Sequence, residues 1–248
     1  MRELDRNPSD PAPDRCAVVG AGRLGHALAA ALRAAGLSVD GPLGRGADPT
    51  EADVVLLCVP DGEIESAAAA LTAVDAQLVG HCSGATTLEP LGDREAFSLH
   101  PLMTVPAGGA APFAGAGCAI AGSTPRALRT AEALAGALRM RPVHVPDEDR
   151  AAYHAAASIA ANFLVTLEAA AERLAATAGV PRELLVPLAE AALQNWAQNG
   201  GEHALTGPVA RGDDETIARQ RAAIAERAPD LLDTFDALVA ASRVLAAS

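Results

Sequence analysis

Gly20-Ala21-Gly22-Arg23-Leu24-Gly25 constrains this chain more than any other stretch. The apolar run Cys16-Ala17-Val18-Val19 leads into it. An Ala/Leu-rich helical run from Leu24 to Ala35 leads out, and Gly36 closes it. Strand, glycine turn and helix therefore stand in the order a dinucleotide site needs. The first glycine makes the tight turn, the second lets the backbone approach a pyrophosphate, and the third lets the helix pack close to the strand. The helix N-terminus then offers free N–H groups and a positive dipole end to phosphates.

The 248 residues suffice for one large domain or two modest ones. Half of them are hydrophobic but only 2% are aromatic, so the core is expected to be Ala, Leu and Val. A net charge of −12 argues against a nucleic-acid surface. No uninterrupted apolar run approaches the roughly 20 residues of a membrane span, so no membrane partner is expected. Residues 1–14 are charged and Pro-rich and read as a disordered arm, not a signal peptide, which makes the cytoplasm the expected compartment. Cys16, Cys58, Cys82 and Cys118 lack metal-ligand spacing and read as small core residues; Cys82, with polar neighbours, is the exception that admits a redox role. Lysine is absent, and all 19 basic residues are arginine. Schiff-base chemistry and lysine acid–base catalysis are thereby excluded.

Residues 15–145 alternate apolar runs with helical runs, which predicts a Rossmann-like α/β unit with a mostly parallel sheet. Strands are expected at 16–19, 38–43, 53–60, 77–80, 97–99, 117–121 and 141–145, with helices at 63–73 and 125–140. The connection 47–52 is too short for a crossover helix. Residues 146–248 show no strand pattern and predict an all-helical domain for substrate binding and dimerisation. Its helices are expected at 148–178, 181–198, from 213 and from 229, with a polar loop at 202–212.

The glycine turn does not itself choose between NAD and NADP. An acid near the end of the second strand binds the ribose 2′-OH of NAD, whereas an arginine there binds the 2′-phosphate of NADP. Asp40 falls inside the expected strand. Arg45 falls at its tip, flanked by Gly44 and Gly46, which favours NADP over NAD.

On the long helix His154, Ser158 and Asn162 follow at i, i+4 and i+8 amid alanines. A regular α-helix places them within an arc of about 80°. Such a stripe is either an interhelical hydrogen-bond ladder or a substrate-facing surface, with His154 as general acid and Ser158 and Asn162 holding the reacting group. His81, Ser83 and His100 follow expected strands and are placed to line a nicotinamide end or to close their own loops. Thr206 and Arg211 form a second polar cluster in which Arg211 suits a substrate carboxylate.

These stretches, taken in order, resemble one family. They are the glycine turn, Cys58-Val59-Pro60-Asp61, His81-Cys82-Ser83-Gly84-Ala85, Phe97-Ser98-Leu99-His100-Pro101, Tyr153-His154, Ala161-Asn162-Phe163 and Leu205-Thr206-Gly207-Pro208. It is a family of NADP-dependent oxidoreductases with a Rossmann-like N-terminal domain and a helical domain catalogued only as domain of unknown function 2520. More distantly it is similar to the 6-phosphogluconate dehydrogenase superfamily, with its ketopantoate and pyrroline-carboxylate reductases. The resemblance implies NADPH bound by Gly20, Gly22, Arg23, Leu24, Gly25, Arg45, Val59, Pro60 and Ser83. It implies His154, Asn162 and Ser158 as catalytic residues, and His100, Thr206 and Arg211 as contacts to a small carbonyl or imine substrate. Asn162 matches the asparagine that the beta-hydroxyacid and ketopantoate members pair with a lysine. The lysine position is Ser158, so the lysine mechanism does not carry over, and His154 is the nearby replacement acid. A homodimer is expected. The alternative is a non-catalytic NADP-binding sensor or partner protein.

Overall fold

A computed structural model describes residues 13–74, 77–106 and 111–247. Nearly all of the expected disordered arm lies outside these. The chain divides into two compact units, Met1–Ser158 and Ile159–Ser248. The division falls later than the 145/146 boundary read from composition, because the first helix after the sheet, Arg150–Ser158, belongs to the first unit.

The first unit is a seven-stranded sheet, and all seven expected strands are present. They are β1 (Arg15–Val19), β2 (Ser38–Leu43), β3 (Val54–Leu57), β4 (Leu78–His81), β5 (Ala96–Leu102), β6 (Gly117–Gly122) and β7 (Arg141–His144). Their order is β2-β1-β3-β4-β5-β6-β7, parallel throughout except for the antiparallel pair β5–β6. Because the chain passes from β1 outward to β2 and then back across to β3, the order reverses at β1. That reversal opens a crevice beyond the carboxyl ends of β1 and β3.

Alternation along each strand sorts the core onto two faces. Cys16, Val18, Val54 and Leu56 face α1 (Arg23–Ala34) and α3 (Pro125–Ala137), whose Leu28, Leu32 and Leu134 are fully buried. Ala17, Val19, Val55 and Leu57 face α2 (Ile64–Ala69) through Ile64 and Ala68. Gly80 stands opposite Phe97 in the β4–β5 pair, and a side-chain Cβ there would lie 2.5 Å from the Phe97 ring. The sheet's largest ring therefore rests on a strand position that has no side chain.

Helix α2 stops earlier than the expected Ala73. Asp48 captures both the backbone N–H (2.9 Å) and the hydroxyl (2.6 Å) of Thr72, so the chain is drawn out of the helix. From β2 to β3 no helix intervenes, as the short connection requires.

In the second unit the described residues form helices only: α5 (Leu164–Ala176), α6 (Val186–Ala204), α7 (Gly207–Ala210), α8 (Asp214–Arg227) and α9 (Leu232–Ala246). Two expectations change here. The run expected to stay α-helical from 148 to 178 contains a π-helical turn, Ile159–Phe163. Its wider i→i+5 spacing breaks the α-helical register between Ser158 and Asn162, so the i, i+4, i+8 arc is not a regular α-helical stripe. The expected 202–212 loop is partly helical as well. Gly200, at φ 76° and ψ 170°, leaves the helical conformation, so the helix expected to stop at 199–201 does break there and α6 is two helical segments joined at Gly200. Asn195 donates across the break to the Ala204 carbonyl (3.1 Å), and Asn199, on the same side as Asn195, donates to its side-chain oxygen (2.6 Å).

The helical run Asp147–Ala176 is long enough and, over its most apolar part, apolar enough to cross a bilayer by length and composition alone. Alanine supplies that average; Tyr153, His154, Ser158 and Asn162 interrupt the run, so it is not the continuous apolar stretch whose absence the sequence shows. Among the described residues of the second unit, Ile217, Ile224 and Ala228 are buried, while Ile159, Val165, Leu188, Trp196 and Val244 are each at least 60% exposed.

Candidate functional site

The crevice at the β1/β3 reversal has a volume of about 560 Å³. Its walls come from the turns after three strands: Gly20, Ala21 and Gly22 after β1, Arg45 and Gly46 after β2, and Cys58, Val59 and Pro60 after β3. Glu63 closes one side. The expected cofactor residues Gly20, Gly22, Arg45, Val59 and Pro60 therefore meet in one place.

The three glycines differ in what surrounds them. Gly20 has φ +117°, and a Cβ there would lie 2.3 Å from the Cys58 carbonyl oxygen. A Cβ on Gly25 would lie 1.9 Å from the Gly20 carbonyl oxygen. Backbone blocks both, so both positions serve packing. Gly22 is extended, at φ −79° and ψ −178°, and a Cβ there would meet nothing within 4 Å. Neither strain nor crowding requires a glycine at 22. The space its missing side chain leaves belongs to the crevice. That open cradle is the test a pyrophosphate imposes on such a turn, and Gly22 meets it. No side chain caps α1 at Gly22, so the first-turn N–H groups stay available to a ligand.

Arg45 is 82% exposed and its Nη2 donates to both oxygens of Glu63 (2.9 and 2.8 Å). Asp40 lies inside β2 opposite Ala17 and pairs with Arg15 at 3.6 Å, which leaves Arg45 at the crevice. Arg23 opens α1, and Leu24 packs against the core.

Ser83 lies elsewhere. Its Oγ accepts from the N–H groups of Ala85 (3.2 Å) and Thr86 (2.9 Å) and bonds the Thr86 hydroxyl (2.9 Å), so it shapes the loop after β4. His81 is fully buried in β4, with Nδ1 accepting from Ser83 N–H (3.2 Å) and Nε2 bonded to the Thr87 carbonyl (3.0 Å). It holds that loop and presents nothing to a ligand. Burial pushes its pKa down to about 4.

Beyond the same loop a second group assembles. His100 of β5 bonds through Nδ1 to the Tyr153 hydroxyl of α4 (Arg150–Ser158) at 2.8 Å. The His100 and His154 rings stand 6.3 Å apart. Gly84 lies beneath them: a Cβ there would come within 2.9 Å of both His100 Nε2 and His154 Cδ2. Burial first, then the His154 and Arg150 charges, push His100 down to about 4. Burial pushes the Tyr153 phenol up to about 12. Both groups are therefore neutral at pH 7.

Arg150 anchors this group; in the sequence it is one residue in the first turns of the helix expected over 148–178 and carries no signal of a role. It is 1% exposed. Its Nε donates to Asp147 (3.0 Å), Nη1 to the Ser83 carbonyl (3.4 Å) and Nη2 to the Ser98 hydroxyl. The place of Tyr153 beside His100 depends on β5 and α4 meeting, which spacing along one helix cannot show. Ser158 ends α4 half-buried. Asn162, Thr206 and Arg211 belong to the second unit, where all three are exposed. Thr206 caps α7 by backbone position without a side-chain bond, and Asp213, accepting from Thr216 N–H, starts α8.

Residues 116–242 match the family model described as Domain of unknown function (DUF2520). The chain belongs to the DUF2520 family. The matched segment begins at β6 and takes in His154, Asn162, Thr206 and Arg211. No curated protein matches the chain. Among solved structures, the chain is similar to a candidate NADP oxidoreductase of Bacteroides fragilis, with TM-score 0.79 and 19% identity over 93% of this chain and 98% of that one. A Thermotoga maritima protein gives 0.74 and 24% over 94% and 98%. The Plasmodium falciparum pyrroline carboxylate reductase, solved with NADP bound, gives 0.56 and 12% over 94% and 98%. At these identities the likeness shows that this DUF2520 chain shares their fold.

The two buried histidines set an acid limit. Each is held near 4 in the folded chain against an ordinary value of 6.5, so between those values the unfolded chain binds protons that the folded chain does not. Stability is intact above about pH 6.5 and falls as pH drops toward 4. Asp48, Asp213 and Asp236, whose pKa values are lowered, act below that window. Urea midpoints measured from pH 7 to pH 4 should fall across this range, and His81→Gln should flatten the slope. A wild-type midpoint constant from pH 7 to 4.5 would refute the assignment.

Proposed function

We propose that the first unit binds NADPH in the β1/β3 crevice and that this protein is a reductase of small carbonyl or imine compounds. The observation that carries the reading is Gly22, extended, unstrained and open to the crevice at the N-terminus of α1. Relatives in fold that are named for NADP or for pyrroline carboxylate reduction support it.

When bound, the cofactor supplies hydride. The chain's own residues do the rest. Gly20 and Gly22 admit the pyrophosphate, and the uncapped N–H groups of α1 hold it. Arg45 turns from Glu63 to the 2′-phosphate, a bidentate contact that an ammonium could not make. Val59 and Pro60 wall the crevice with apolar surface. His154 protonates the product heteroatom: it is half-buried beside His100 and Gly84, and an imidazole can hold and give up a proton. His100, neutral and fixed by Tyr153, directs its other ring nitrogen to Gly84 beside His154, where it suits a donor to the substrate oxygen or nitrogen. For Asn162, Thr206 and Arg211 as substrate contacts the support is their sequence pattern.

We also propose a homodimer. A unit that buries three apolar residues among those described and leaves Val165, Leu188, Trp196 and Val244 mostly exposed has too small a core to stand alone. A second copy presents the same faces and can cover them symmetrically.

Nicotinamide fluorescence should report NADPH binding tighter than NADH binding. Arg45→Ala should weaken NADPH about tenfold and leave NADH unchanged. Gly22→Val should abolish both without lowering the unfolding midpoint. Wild-type protein that binds neither nucleotide would sink the reading. On a panel of keto acids and cyclic imines, His154→Ala should lower kcat by about 10²–10⁴-fold with NADPH affinity kept. Binding without turnover on every substrate would favour a dinucleotide sensor. Light scattering in solution should give twice the 25.0 kDa chain mass; a monomer at micromolar concentration would exclude the dimer.

A further inference from the structure

Strands β3 and β4 run parallel, with Leu57 opposite His81. The residues that follow, Cys58 and Cys82, leave the sheet side by side. Their sulfurs are 3.6 Å apart, and both are free thiols. Neighbouring strands are about 4.8 Å apart, within the Cα separation of about 4.4–6.8 Å that a disulfide spans. The two thiols can therefore be joined by side-chain movement alone.

Access is uneven. Cys82 is 6% exposed, while Cys58 is half-buried and forms part of the crevice wall. The bond to Cys58 and burial hold the Cys82 thiol well above its usual range. Cys16 and Cys118 are fully buried, and burial pushes both up to about 12. A small polar oxidant that enters the crevice meets one thiol, and a second lies directly behind it.

We propose that Cys58 and Cys82 are a reversible oxidation site whose substrate is a hydroperoxide. The Cys58 thiolate attacks one peroxide oxygen of hydrogen peroxide. The O–O bond breaks, a sulfenic acid forms on Cys58, and the other oxygen leaves as hydroxide, which takes the proton released when the Cys58 thiol ionised and becomes water. The Cys82 sulfur then attacks the Cys58 sulfur. The S–S bond forms, the S–O bond breaks, and the hydroxyl leaves as a second water with the Cys82 proton. Two thiols and one hydrogen peroxide become one disulfide and two waters. A dithiol reductant returns two electrons and two protons and restores both thiols. The step does not depend on the dinucleotide reading, since it needs only the two sulfurs and a path through the crevice.

The sequence makes the test direct. Cleavage after arginine releases both cysteines in one peptide, residues 46–94, which holds no other cysteine. Native protein treated with a few equivalents of hydrogen peroxide and then blocked with N-ethylmaleimide should give this peptide two hydrogens lighter and unalkylated. Further cleavage after glutamate should leave its two cysteine fragments linked, and dithiothreitol should separate them. In Cys82→Ser the Cys58 sulfenic acid should persist and take up dimedone at least about tenfold more than in wild type. Cys16 and Cys118 should be blocked only in urea. Wild-type protein in which Cys58 advances to the sulfinic acid with no Cys58–Cys82 link would overturn the proposal. So would a link between the Cys58 residues of two molecules, or four cysteines oxidised at equal rates.

Discussion

The first unit depends on three backbone segments that come too close for any side chain to stand between them. The Gly20 turn lies against the Cys58 carbonyl, and Gly25 of α1 lies against the Gly20 carbonyl. Both would-be contacts are below 2.5 Å to backbone atoms, which cannot rotate away as a side-chain tip can. Helix α1 is thereby seated on β1, and the β1 turn is seated on the end of β3. The crevice is the space this seating leaves above the turn. Its position is a consequence of how closely three segments pack.

A second constraint lies two strands along. Burying a guanidinium is costly unless it is paired and hydrogen-bonded. Arg150 meets the condition by binding three different places: Asp147 beside it in sequence, the Ser83 carbonyl after β4, and the Ser98 hydroxyl in β5. Removing the partners of such a cation typically costs about 3–5 kcal/mol. The start of α4 is thus tied to two strands, and Tyr153, three residues on, is carried to His100. The same charge helps hold His100 neutral. One buried cation therefore positions the aromatic group and adds to the burial that keeps His100 neutral.

Much of this was legible in the sequence, for identifiable reasons. The central strands β1, β3 and β4, buried on both faces, read as short apolar runs, while the edge strands β2 and β7, largely exposed, are legible from the alternation with helical runs around them. The glycine spacing marked the turn because backbone crowding admits nothing larger at 20 and 25. The polar groups were harder to read. His81 and Ser83 carry the same residue types as a ligand site but spend their hydrogen bonds on one loop, and only the folded register shows that. Arg150 follows Asp147, Glu148 and Asp149 at the start of an expected helix, where an arginine looks like an ordinary exposed partner for acids. The π turn at Ile159–Phe163 has no distinctive composition, since Ala, Ile and Phe suit an α-helix as well. Gly200 reads as a stop in the sequence and breaks the helix in the structure; what spacing alone does not announce is the side-chain bond from Asn195 to the Ala204 carbonyl that holds the next segment beside it.

The Arg45–Glu63 pair shows how cofactor choice can rest on a weak interaction. Both partners are solvent-accessible, with the arginine 82% and the glutamate 39% exposed. Exposed pairs of this kind contribute only about 0–1 kcal/mol, so the pair does little for the fold. It does keep the long Arg45 side chain over the crevice instead of free in solvent. A 2′-phosphate carries more charge than a carboxylate and offers the same planar fork more acceptors, so under the NADPH reading exchange of Glu63 for phosphate runs downhill. A ribose hydroxyl offers no charge and cannot displace Glu63. The discrimination then comes from what the glutamate concedes and what it retains, which requires the pair to be as exposed and as weak as it is.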